Sequence, residues 1–172
     1  CTHAIELFLR IEPVSAMTCP TNTYPSIPMT LEKLGIRWYW GEEKWQDYYY
    51  LGNTRIIDAA VYWKENSYLS GTLMCLSFQF QKHLSLGRGG AILCDKEYTY
   101  NALKAMSYDG RAPNIPWKDQ DIKHIGYHYY MTPETAQQGI DKLPSAIETT
   151  PKTWTSTDYP DLRNMTVFKT LR

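Results

Sequence analysis

Apolar residues recur at helical spacing in the opening stretch CTHAIELFLRI, where Ala4, Ile5, Leu7, Phe8 and Ile11 follow Thr2 in a capping position. VSAMTCP then reads as a short strand closed by Pro20. TYPSIPMTLEKLG predicts a helix, with Pro25 near its first turn and Gly35 at its end. IRWYW (36–40) and YYYL (48–51) are strand-like and flank the charged turn GEEKWQD. TRIIDAAVYW predicts a buried strand that stops at Asp58, and LMCLSFQF (73–80) and GGAILCD (89–95) predict two more. KEYTYNALKAMSYDG predicts a helix ending at Gly110. Residues 111–125 form a polar loop with Pro113 and Pro116, and TPETAQQGIDKL opens a last helix with Thr132 as cap and Pro133 in the first helical position. Beyond Pro151 the chain is rich in Thr and Pro and shows no clear period.

Helices that alternate with short buried strands predict an α/β fold: a mostly parallel sheet flanked by helices. The expected boundaries are one α/β domain over 1–150 and a C-terminal tail over 151–172. In such sheets ligands bind beyond the carboxyl ends of the strands. Asp58, Ser77 and Lys82 all fall at or just past such ends.

Composition narrows the function. The 172 residues fit one domain with a real core, and 18 basic residues balance 18 acidic ones. No overall field therefore recruits nucleic acid or an anionic membrane. No run approaches the roughly 20 apolar residues of a membrane span. The four cysteines have no metal-type spacing, so no metal is expected, and a reducing cytoplasm is the simple expectation for them. The chain opens on Cys1, already in helical pattern, and reads as the interior of something longer.

The stretch SFQFQKHLSLGRGG (77–90) sets one lysine, Lys82, after alternating aromatic and polar residues and ahead of a glycine cluster. Taken singly, Lys82 is a surface charge, Asp58 a turn-former, Thr2 a helix cap, Ser77 an ordinary hydroxyl and Tyr24 one tyrosine among 14. Together they match what pyridoxal phosphate (PLP) requires. A lysine joins its aldehyde, an acid holds its ring nitrogen protonated, hydroxyls at a helix start take its phosphate and an aromatic ring covers it.

The ordered set IIDAA (56–60), SFQFQK (77–82), GRGGAIL (87–93) and GYHYYMTPETAQQGIDKL (126–143) resembles the DegT/DnrJ/EryC1/StrS family of PLP-dependent sugar aminotransferases. CTHAIELFLR resembles that family's phosphate-binding helix start, and TCPTNTYPS the segment that follows it. The likeness covers about residues 1–148. It implies a shortened version of the large PLP-binding domain of fold-type I, aspartate aminotransferase-like enzymes. Lys82 would join the cofactor and then move the proton. Asp58 would pair with the ring nitrogen, Ser77, Thr2 and the His3 amide would bind phosphate, and Tyr24 would cover the ring. His128 would reach the cofactor of a partner subunit, so a homodimer with shared sites is implied. The implied substrates are an amino-acid donor, glutamate by resemblance, and a nucleotide-linked keto-sugar destined for surface polysaccharide or lipopolysaccharide.

The match departs from the family at several points. His128 stands where the family has Asn, Tyr130 where it has Arg, and Val61 where many members have Gln. The segment between LGIRWYW and TRIIDAA is short, and family parts before Cys1 and after Pro151 are missing. Two other readings follow: a non-catalytic remnant that binds cofactor or a partner chain, and a PLP-dependent sugar dehydratase. In the dehydratase branch histidine replaces the lysine; here Lys82 is retained, with His83 beside it.

Overall fold

The helical spacing of the opening residues forms α1 (Thr2–Ile11), and the computed structural model, which describes residues 1–171, sets this helix at the centre of the molecule. Ala4 through Leu9 are all buried, because α1 touches α2 (Ser26–Lys33), α3 (Glu97–Ser107) and three strands. Burial all round leaves Glu6 inside. Its carboxylate is met by Arg10 Nη2 at 2.7 Å and Lys33 Nζ at 3.0 Å, the pairing a buried charge needs. Thr2 is the first helical residue and Cys1 occupies the cap position, unlike the sequence expectation; the Thr2 hydroxyl lies 2.8 Å from Ser26 Oγ instead of turning onto the helix's own amides.

The strands make two sheets. β1 (Ala16–Pro20) and β2 (Arg37–Gly41) pair in parallel across α2, a right-sized crossover. The second sheet has the order β3 (Tyr49–Tyr50), β4 (Ile56–Asp58), β5 (Leu73–Ser77), β6 (Gly90–Leu93), and only β4 and β5 run parallel within it. The expectation of a mostly parallel sheet is thus corrected to a partly parallel one. The link from Tyr50 to Ile56 is a tight turn that permits only antiparallel return, which sets Tyr49 opposite Asp58. Between β5 and β6 the chain also folds straight back: Phe78 N donates to Gly89 O, and Leu86 N to Phe78 O.

The predicted strand 73–80 ends at Ser77, so Lys82 stands in the turn beyond it, where its amide donates to Gln79 O at 2.8 Å. Ile56, Leu73 and Cys75 face the main core, while Ile57 and Met74 face a smaller one with Tyr48, Tyr62 and Leu69. A sheet covered on both faces explains the unbroken apolar runs. α4 (Pro133–Glu148) begins as expected, Thr132 Oγ1 accepting from Thr135 N. The segment after Pro151 packs onto the same core. Leu162 and Phe168 are buried, and the Phe168 ring, in α5 (Thr166–Thr170), meets Trp38 and Trp40 edge-on.

Candidate functional site

Asp58 ends β4 with both carboxylate oxygens occupied. Oδ1 accepts from Ala60 N at 2.9 Å, and Oδ2 accepts from the Tyr49 hydroxyl at 2.8 Å. The Tyr49 hydroxyl also meets Thr23 Oγ1. Burial pushes the Asp58 carboxyl above its usual range, while the Ala60 amide and the Tyr49 hydroxyl pull it back. Tyr49 is pushed well up, by burial first and by the Asp58 charge second, so the phenol keeps its proton and stays a donor.

Lys82 is partly buried, and this holds its amine below the ordinary lysine range, with the Asp58 charge acting in the opposite direction. Its Nζ lies 5.4 Å from the centre of the Trp154 ring. Trp154 is held over the site by two bonds to Asp47: Asp47 N donates to Trp154 O at 2.7 Å, and Trp154 N donates to the Asp47 side chain, Oδ1, at 3.0 Å. Tyr159 stands nearby and is pushed up to about 12, mainly by burial and then by Asp58.

Thr2 and His3 open α1, where unpaired amides and the helix dipole favour an anion. The His3 ring stacks on Tyr129 at 3.7 Å between centres, and Tyr129 in turn donates its hydroxyl to Glu6. Burial lowers the pKa of His3 against the pull of Glu6. Gly87 and Gly89 take left-handed backbone (φ 80° and 103°), which lets the chain turn back after Lys82. Gly90 serves a different end: a β-carbon there would run into the Leu76 carbonyl oxygen.

These parts surround one cavity of about 810 Å³, and Thr2, His3, Tyr24, Asp58, Ser77 and Lys82 all line it. Six of the seven residues singled out from sequence therefore converge. Tyr24 stands exposed at the rim, and the Ser77 hydroxyl is weakly engaged, accepting from Gln79 N at 3.4 Å. The seventh, His128, lies outside the cavity lining; its Nδ1 pairs with Asp109 Oδ2 at 2.9 Å on the surface. Val61 and Tyr130, two of the departures from the family pattern, line the cavity. Sequence reading missed Tyr49, Trp154 and Arg88, which also line it. Tyr49 had a strand signal only, and Trp154 sat in a stretch without periodicity.

The residues present fit PLP. They comprise an amine whose pKa burial lowers, a buried acid with a fixed donor, hydroxyls that include one at a helix start, and aromatic walls. Among the described residues no cluster of three or more His, Cys, Asp or Glu could hold a metal, and no helix is long and apolar enough to cross a membrane.

The profile of the DegT/DnrJ/EryC1/StrS aminotransferase family matches residues 64–154. Among solved structures, the chain is similar to the sugar aminotransferase CalS13 from Micromonospora echinospora (TM-score 0.66, 12% identity, 86% of this chain and 55% of that one). It is also similar to AtS13 from Actinomadura melliaura (TM-score 0.68, 14% identity, 86% and 54%). A third is PseC of Helicobacter pylori, an aminotransferase of pseudoaminic acid biosynthesis (TM-score 0.63, 10% identity, 84% and 51%). At these identities the likeness is one of fold. The chain spans about half the length of the structures it matches. No curated protein matches it.

Proposed function

Because the chain belongs to the DegT/DnrJ/EryC1/StrS family of PLP-dependent aminotransferases, we propose that it carries the cofactor site of a sugar aminotransferase. The reaction would move an amino group from an amino acid, glutamate in our reading, to a nucleotide-linked keto-sugar used for surface polysaccharide. We place that work in the cytoplasm and in a homodimer, with His128 serving the partner's site. The observation that carries the reading is the convergence of Thr2, Asp58 and the pair Ser77 and Lys82 on one cavity from three separate stretches of chain.

When bound, PLP supplies an aldehyde for an amine and a ring that takes up electron density from the reacting carbon. Each residue has a part the geometry supports. Lys82 Nζ, with its proton loosened by burial, would be the amine offered to the aldehyde and afterwards the base that carries a proton. Asp58 would offer a carboxylate to the ring nitrogen, and the Tyr49 hydroxyl steadies it. The Thr2 and Ser77 hydroxyls and the first-turn amides of α1 offer donors to a phosphate. Trp45, Trp154 and Tyr159 wall the cavity, Trp154 beside Lys82.

The histidine-based dehydratase reading is poorly supported, because His83 Nε2 lies 2.7 Å from Ala146 O and its ring packs on Trp63. Binding without turnover is favoured by one observation, Val61 in the cavity lining where many family members have Gln.

The test is an absorbance titration with PLP of the 172-residue chain and of Lys82→Ala. A new visible band in the first, discharged by borohydride and absent in the variant, is the expected result. A folded chain that shows no band would overturn the proposal. A band without amino transfer from glutamate would select the binding-only reading.

A further inference from the structure

Asp58, Tyr49 and Thr23 form a line of hydrogen bonds along the buried wall of the cavity, and none of the three is more than 7% exposed. The line crosses three elements. Asp58 ends β4, Tyr49 lies opposite it in β3, and Thr23 comes from the loop ahead of α2. The register makes this pairing obligatory, since Tyr49 and Asp58 are direct antiparallel partners. A buried hydroxyl that donates to one carboxylate oxygen removes a rotational freedom and lowers the cost of the charge. Because the phenol proton goes to Asp58, the Thr23 hydroxyl is left to donate to the phenol oxygen, and this second contact fixes the hydroxyl's direction.

We propose that Tyr49, oriented by Thr23, is a positioning residue that holds Asp58 in one orientation and in its carboxylate form at the cavity wall. The inference rests on the functional reading above only for the ring that Asp58 would meet. Its physical content is a coupling between Tyr49 and Asp58 that exists without any ligand. Without the phenol, Asp58 would keep a single amide donor, that of Ala60, inside a wall that disfavours charge. The other ionisable groups facing Asp58 are the thiol and amine of Cys1 at the cap of α1, the Cys75 thiol on β5, Lys82 and Tyr159. All of them remain in the variants used below.

The test follows the Asp58 carboxyl by carbon NMR in chain labelled at aspartate carboxyls and free of PLP, with Asp58→Asn to assign the signal. Tyr49→Phe keeps the ring that packs on Trp45 and removes only the hydroxyl. Its Asp58 midpoint is expected to move upward by about one pH unit or more. Thr23→Val moves it the same way by less, and Thr23→Ser restores the wild-type midpoint. An unmoved midpoint in folded Tyr49→Phe overturns the proposal, whatever PLP does. Should Tyr49→Phe fail to fold, Thr23→Val decides, and an unmoved midpoint there overturns it equally. A midpoint that moves while PLP gives no visible band upholds the coupling and overturns the functional reading instead.

Discussion

Gly90→Ala tests whether the β5–β6 contact beside the cavity is set by space or by backbone freedom. The pairing puts Gly90 opposite Ser77, and a β-carbon at position 90 would overlap the Leu76 carbonyl oxygen and lie 2.6 Å from Cys1 N. Neither atom belongs to a side chain that can swing away. Overpacking of this kind costs typically 1–3 kcal/mol, and a rigid main-chain obstacle puts this site at about 3 kcal/mol. For a chain of this size each kcal/mol lowers the melting temperature by about 2–4 °C, so the expected fall is roughly 6–12 °C. Gly35→Ala is the control. Gly35 has φ of 66° but nothing within 4 Å of its β-position. It loses only the left-handed allowance, about 1 kcal/mol, for a fall of about 2–4 °C. Thermal unfolding by circular dichroism on the two variants side by side is the assay. A fall in Gly90→Ala no larger than in Gly35→Ala would refute the reasoning, since it would mean β6 moves aside without cost.

Two further outcomes follow from buried charge. Burial raises the Asp58 carboxyl above its ordinary value of 3.8, so the folded chain binds that proton more tightly than the unfolded one. The resulting stability is present below that value and is lost as pH rises through the raised one; Asp58→Asn should lack this fall. Denaturant unfolding across that range checks it, and parallel pH curves for the two proteins would contradict it. Glu6→Ala removes the common acceptor of Arg10, Lys33 and Tyr129. Because the Arg10 and Lys33 side chains keep 26% and 53% exposure, they can turn to water. The loss is expected near 2–3 kcal/mol, short of the roughly 3–5 kcal/mol of a fully stranded charge. A urea midpoint that barely changes would argue against the cluster's role in holding Tyr129 under His3.

Much of this protein is legible along the chain. The period of apolar residues in THAIELFLRI, the cap and proline at Thr132 and Pro133, and the apolar runs ahead of Asp58 and Ser77 are local signals, and the helices and strands stand close to where they fall. The candidate site was legible only through the family resemblance of the ordered motifs IIDAA, SFQFQK and GRGGAIL, since each residue read singly is ordinary; six of the seven residues named from it line one cavity.

What the chain order leaves open is who faces whom. Strand direction depends on connection length and on what covers each face, so the tight return at 51–55 and the folded-back turn at 78–89 made two pairings antiparallel. The same return put Tyr49 against Asp58. Bonds to the Asp47 amide and carboxylate brought Trp154 over Lys82, although nothing in its own neighbourhood predicts a place in the site. Glu6 shows the same limit from the other side. Read along the helix it is an ordinary polar position, and only packing on every face of α1 makes it a buried charge that needs Arg10 and Lys33. Local pattern fixes which residues can form an element, since it rests on backbone geometry within a few residues. Burial, pairing and the proton affinities that follow from them are properties of distant surfaces brought into contact, and the tertiary structure decided them.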